Sequence, residues 1–276
     1  RGVGTDSGEF HSLTRHLGQI AVSQNLLAEF CVRLASGLAC MMVCTSSRAV
    51  GVQFFRTLML VVLGLCVLAL LFGPALVQVP GMVLLAGAAL AFVGFVAWTL
   101  GRSDAGRWVT AGLLACTSVV MIWPYVIGDL ERGWLERSIA AGEAITSALL
   151  LGSMMAAMLL GHSYLIAPTM SIDPLKRLVI WVAASVVGRA VLAGVVFIVP
   201  GSGRSDGSLD SFGWSLLAAR WVIGLVGPAV IAWMVWQTAR IRSTQSATGI
   251  LYAGVVLTFF GELVSQLLNN HMGAAS

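Results

Sequence analysis

Charge is what this 276-residue chain has least of: 10% of its residues are charged, against 58% hydrophobic residues and a mean hydropathy of +0.91. So little polar surface cannot cover a soluble globule of this size, and the composition predicts an all-α integral membrane protein. Histidine is also scarce, at 4 residues. Only His162 adjoins an apolar run, which argues against a bis-histidine haem held by this chain alone. The single lysine, Lys176, falls between apolar runs, which excludes a retinal Schiff base inside the bilayer. No GxxxxGK[ST], HExxH or GxSxG motif occurs, and no polar insert is long enough to build its own core. The cysteines, Cys31, Cys40, Cys44, Cys66 and Cys116, form no CxxC pair and have no histidine at ligand spacing. They read as packing residues, and no metal centre is expected.

What the chain does contain is long apolar runs. Windows of roughly 20 residues place about eight transmembrane helices near 20–44, 53–76, 80–100, 107–128, 138–166, 177–199, 213–239 and 246–268, possibly arranged as two four-helix bundles. Gly73-Pro74, Val79-Pro80-Gly81, Gly101-Arg102-Ser103-Asp104 and Ala167-Pro168 mark the borders. Residues 1–19 are expected to be an extracytoplasmic segment in which 8–19 form an amphipathic surface helix, 20–268 the membrane domain, and 269–276 a short tail. The chain opens on an arginine rather than a methionine and has no cleavable signal pattern, so native residues are expected to precede it.

The net charge of +4 comes from arginines at the ends of apolar runs, the positive-inside pattern, and gives no reason to expect nucleic acid. Arg48, Arg102, Arg107, Lys176, Arg177, Arg240 and Arg242 mark one side as cytoplasmic. Arg1, Arg15, Arg132, Arg137 and Arg204 on the other side are diluted by Asp6, Glu9, Asp129, Glu131, Glu136, Asp206 and Asp210. Both termini are then extracytoplasmic. Trp108, Trp123, Trp134, Trp181, Trp214 and Trp236 lie toward span ends, as an interfacial aromatic belt does.

The rare charges inside the spans carry the functional reading. Glu29, Arg33, Glu143, Arg189, Arg220 and Glu262 sit in segments otherwise fit to cross a bilayer, where each unpaired ion costs several kcal/mol. Three acids and three bases are expected to neutralise one another as one polar nest in the outer half of the membrane. At about 1.5 Å per residue, Arg33 and Arg189 fall one turn deeper than the rest, and Glu29 and Arg33 can pair at i, i+4. The alternative is purely structural, with ion pairs that fix helix register. At the other end of the fifth span His162 and Tyr164 are candidates for a proton relay, or for interfacial packing. The run Pro168–Arg177 reads as an inner loop suited to docking a partner.

The last span reads Thr258-Phe259-Phe260-Gly261-Glu262-Leu263-Val264-Ser265-Gln266-Leu267-Leu268. With eight spans and both ends outside, it resembles the quinone-linked membrane-anchor family of polysulfide and dimethyl sulfoxide reductases. In that family the final helix often carries Gly-Glu-Leu followed by an arginine, a position that Gln266 takes here; Glu29-Phe30-Cys31-Val32-Arg33 is similar to its early acidic and basic positions. The resemblance implies a multi-pass subunit of the bacterial inner (cytoplasmic) membrane that binds quinone as its cofactor toward the outer face. It implies partners as well: an extracytoplasmic iron–sulfur or cytochrome subunit, other membrane subunits and lipid. Glu262 would then exchange protons with the quinone, Arg189 and Arg220 would orient its oxygen, and Glu29, Arg33, Glu143 and Gln266 would line the site. His162 and Tyr164 would begin a proton route from the opposite side. Such a subunit either reacts with quinone or only anchors an oxidoreductase complex. A secondary transporter is the other class compatible with the sequence, because Trp123-Pro124-Tyr125 and Gly224–Pro228 interrupt two spans. No internal repeat accompanies them.

Overall fold

The computed structural model describes residues 7–47, 50–73, 79–128, 133–166, 171–198 and 211–275. Every regular element among them is helical: α1 (Ser7–Cys44), α2 (Val52–Phe72), α3 (Val79–Thr99), α4 (Ser103–Trp123), α5 (Trp134–Ile166), α6 (Asp173–Ile198), α7 (Ser211–Trp221), α8 (Gly227–Arg240) and α9 (Thr244–Ala275). Two π-helical turns, Pro124–Gly128 after α4 and Val222–Val226 between α7 and α8, complete the order. Eight helical stretches are long and apolar enough to cross a membrane, with α7, the π turn and α8 together forming one of them, Ser211–Arg240.

The helix ends follow the punctuation read from the sequence. Gly101, at φ +70°, takes the left-handed conformation that a side chain disfavours, and this lets α3 turn into α4 within three residues. Two boundaries differ from expectation. Residues 8–19 belong to α1 itself, which runs unbroken from Ser7, rather than to a separate surface helix. The C-terminal tail continues α9 to Ala275. Neither stretch contains a proline or a glycine pair that would end the hydrogen-bond ladder. The loop residues Arg1, Asp6, Arg48, Asp129, Glu131, Arg132, Arg204, Asp206 and Asp210, the Pro168–Met170 part of the inner loop, and the side chains of Glu9, Arg15 and His16 lie outside what is described. Trp108, Trp134, Trp181 and Trp214 are exposed on the helical surface.

The two expected four-helix bundles are present. Contacts α1–α2, α2–α3, α3–α4 and α4–α1 close one ring; α5–α6, α6–α8, α8–α9 and α9–α5 close the other. They meet where α1 packs along α5 and touches α9. The α1–α5 crossing is backbone on backbone. A methyl group added at Gly37 would overlap the Ala148 carbonyl, and one at Gly152 would overlap the Gly37 backbone. Helices without a hydrophobic driving force between them gain from such close approach through van der Waals contact. In the first bundle, Phe55 stacks on the buried Trp98 at 4.4 Å. At the seam, Phe30 of α1 meets Phe259 of α9 edge to face at 5.1 Å. Arg33 and Glu262 lie three residues on from these rings, on the same helix faces.

Candidate functional site

The seam between the bundles gathers the charged residues. Arg33 is buried and reaches from α1 across to α9, where its Nη1 donates to Oε1 of Glu262 at 2.5 Å. Its Nη2 donates to Glu29 on its own helix and to the Tyr125 hydroxyl at 3.1 Å. From the second bundle, Nη1 of Arg189 donates to the other Glu262 oxygen, Oε2, at 3.0 Å. Gln266, one turn further along α9, donates from Nε2 to Glu262 Oε1 at 3.2 Å. The Ser147 hydroxyl of α5 adds to the electrostatic surroundings of Glu262 without forming a bond of ordinary geometry. Glu262 has no exposed surface, and both its oxygens are engaged by guanidinium groups.

The expected one-turn offset between Arg33, Arg189 and Glu262 is about 5.4 Å, and the length of the arginine side chains bridges it. Glu29 and Arg33 close the expected i, i+4 pair. Glu29 is the open end of the chain, with its side chain 43% exposed. Four charges, Glu29, Arg33, Glu262 and Arg189, thus form one continuous neutral relay from the surface to the buried α9 carboxylate.

Glu143 and Arg220 do not join that relay through an ion pair. They form their own, Nη2 of Arg220 to Oε1 of Glu143 at 2.6 Å, between α5 and α7. What connects the two groups is a narrow cleft between α6 and the segment running from α7 into its π turn, lined by Arg189, Ala193, Arg220, Trp221, Gly224 and Leu225. The predicted single nest is therefore two balanced groups with an arginine of each facing a shared cleft.

Both π turns adjoin this site. Pro228 lacks an amide hydrogen and its ring crowds the carbonyl four residues earlier, so the preceding turn widens. The Gly227 amide accordingly donates to the carbonyl of Val222, five residues back. The wide turn brings Gly224 against Gly261, where an added methyl would lie 2.5 Å from the Gly224 Cα. Gly261 immediately precedes Glu262, so the cleft wall and the buried carboxylate share one backbone contact. The other π turn starts at Pro124 and carries Tyr125, whose hydroxyl donates to Glu29 at 3.2 Å while accepting from Arg33. Irregular turns of this kind recur at functional sites.

His162 and Tyr164 are not brought to the cluster. Tyr164 lies 17 residues along α5 from Ser147, about 26 Å, and is buried with its hydroxyl donating to the Ser171 carbonyl at 2.6 Å, a bond that ties the end of α5 to the start of the next segment. His162 faces outward, away from that core. Tyr125 and Ser147 belong to the site and escape a search for charge. Their only sequence signals are a tyrosine directly after a proline within an apolar run, in a chain with 3 tyrosines, and a serine one turn after Glu143. No protein-family model, curated protein or solved structure matches this chain.

Proposed function

We propose that the chain is a membrane subunit of an electron-transfer complex that binds a quinone at the α6–α7 cleft. The observation that carries this reading is that Arg189 and Arg220 line one small cleft, whose free volume of about 20 Å³ admits a carbonyl oxygen while the ring stays outside. Two guanidinium groups line it, and each is already balanced by a carboxylate, so the site offers N–H donors without a net charge. A neutral ring with carbonyl oxygens suits such a site better than an anion, which would compete with Glu143 and Glu262 for the same arginines. Trp221 and Leu225 supply the apolar and aromatic wall against which a ring packs. The quinone oxygen accepts from Arg189 or Arg220, while the ring remains toward the bilayer from which it came.

The roles within the relay follow from its bonds. Glu262 holds two guanidiniums with both oxygens and acts as the anchor that positions Arg189 toward the cleft. Glu29 is the half-exposed carboxylate through which protons reach outer water, with the Tyr125 hydroxyl beside it. Nothing in this reading carries single electrons within the chain, so a partner with an iron–sulfur or cytochrome centre supplies or accepts them at the extracytoplasmic face. The resemblance of Gly261-Glu262-Leu263 to the reductase anchors points the same way.

One observation favours a second reading, a structural subunit whose ion pairs only lock helices: Arg33, Arg189 and Glu262 are almost wholly buried and mutually paired. Equilibrium binding of a short-chain benzoquinone to the full chain in lipid nanodiscs separates the two. The quinone reading expects saturable binding that weakens about tenfold, ~1.4 kcal/mol, in Arg220→Gln, with a stability loss of no more than about 1 kcal/mol. Absence of saturable binding, with the arginine variants affecting only stability, leaves the structural lock.

A further inference from the structure

We propose that Cys40 and Cys44 form a binding site for one soft monovalent cation of the copper(I) class, held between two thiolates. The two cysteines close the last turn of α1 at i, i+4, which puts their Cβ atoms about 5–6 Å apart on one helix face. Cys40 is half-buried and Cys44, the last residue of α1 and of its apolar span, is exposed, so the pair is open on one side at the end of the span. The scaffold is rigid there, since Met41 and Met42 anchor that end of the helix in the core and the Thr45 hydroxyl donates to the Met41 carbonyl at 2.7 Å.

The number of ligands selects the ion. Among the described residues no three His, Cys, Asp or Glu side chains converge, so zinc or calcium would lack a full protein coordination set. Two soft thiolates alone suit a linear, two-coordinate cation, and thiolates favour copper(I). Metal–thiolate bonds of about 2.3 Å let one ion bridge sulfurs up to about 4.6 Å apart, which side chains one helical turn apart reach by rotation. The step is an exchange without electron transfer: two S–H bonds break, two copper–sulfur bonds form, and two protons leave to water. The bound site carries one negative charge, and binding tightens as pH rises because protons are released. Cys31 and Cys66, by contrast, are buried in the first bundle.

The test uses the full chain in lipid nanodiscs under anaerobic conditions, with copper(I) supplied as its acetonitrile complex and a chromophoric copper(I) chelator as competitor. One retained equivalent per chain is expected, lost in both Cys40→Ser and Cys44→Ser and kept in Cys66→Ser. No retained copper in the wild type, or copper retained by both the Cys40 and Cys44 variants, overturns the site. X-ray absorption at the copper edge of the wild-type protein gives a reading that needs no variant: two sulfur neighbours support the pair, and a nitrogen or oxygen shell overturns it.

Discussion

One turn of α1 crosses the seam by shape and the adjacent turn crosses it by charge. Gly37 lets the α1 backbone rest on α5 with no room for a methyl group, and Arg33, four residues earlier on α1, reaches across to Glu262 of α9. The first contact is purely steric and has no variable part. The second joins four ionisable groups, of which Glu29 remains partly exposed and Arg189 lines a cleft. A structural seam needs only the first kind of contact. Placing the second beside it costs desolvation, which is why we assign the working part of the molecule to the charged crossing.

The contrast breaks hardest at the glycines. Gly37→Val or Gly152→Val is expected to destabilise the fold by about 3 kcal/mol or more, so that little folded protein accumulates, whereas Gly64→Ala, whose added methyl meets nothing within 4 Å, is expected to accumulate normally. Size-exclusion profiles of the detergent-extracted variants read both outcomes. Next in size, Glu262→Leu strands two buried guanidiniums and is expected to cost about 3–5 kcal/mol in thermal unfolding. Combining Arg189→Met with Glu262→Gln should then cost less than the two single changes together, and strictly additive losses would contradict the contact.

Smaller effects sharpen the division between the two ion-pair groups. Glu143 and Arg220 are each about one-fifth exposed, so Glu143→Gln should lower stability by only about 1 kcal/mol while weakening quinone binding, because it loosens the arginine that faces the cleft. Tyr125→Phe removes two hydrogen bonds at the open end of the relay and is expected to cost about 1 kcal/mol, read in the same unfolding assay. His162→Ala should stay within about 0.5 kcal/mol and leave ligand binding unchanged; a loss of binding there would restore the proton route from the opposite face.

The architecture was legible because apolar length and punctuation are local properties. Eight spans and the i, i+4 pairing of Glu29 with Arg33 follow from counting along the chain. Azimuth is not local. Which helix face Glu262 presents depends on α5, α7 and α8 packing against α9, with Gly224 set against Gly261, and a sequence without a repeat gives no register for that. Hence all six charges were found, but their division into two groups was not. Pro124 and Pro228 marked the interrupted helices, yet the consequence, two π turns that deliver Tyr125 and Gly224 to the site, needed the fold. The Gly224–Gly261 contact is legible only afterwards, since either glycine alone reads as a helix weakness.

What occupies the α6–α7 cleft separates a quinone site from a structural lock. Photolabelling the full chain in nanodiscs with an azidoquinone, followed by peptide mass spectrometry, is expected to place adducts within residues 193 and 221–225, with labelling suppressed by excess unlabelled quinone. Saturable labelling confined to other helices, or none that unlabelled quinone suppresses, would contradict it.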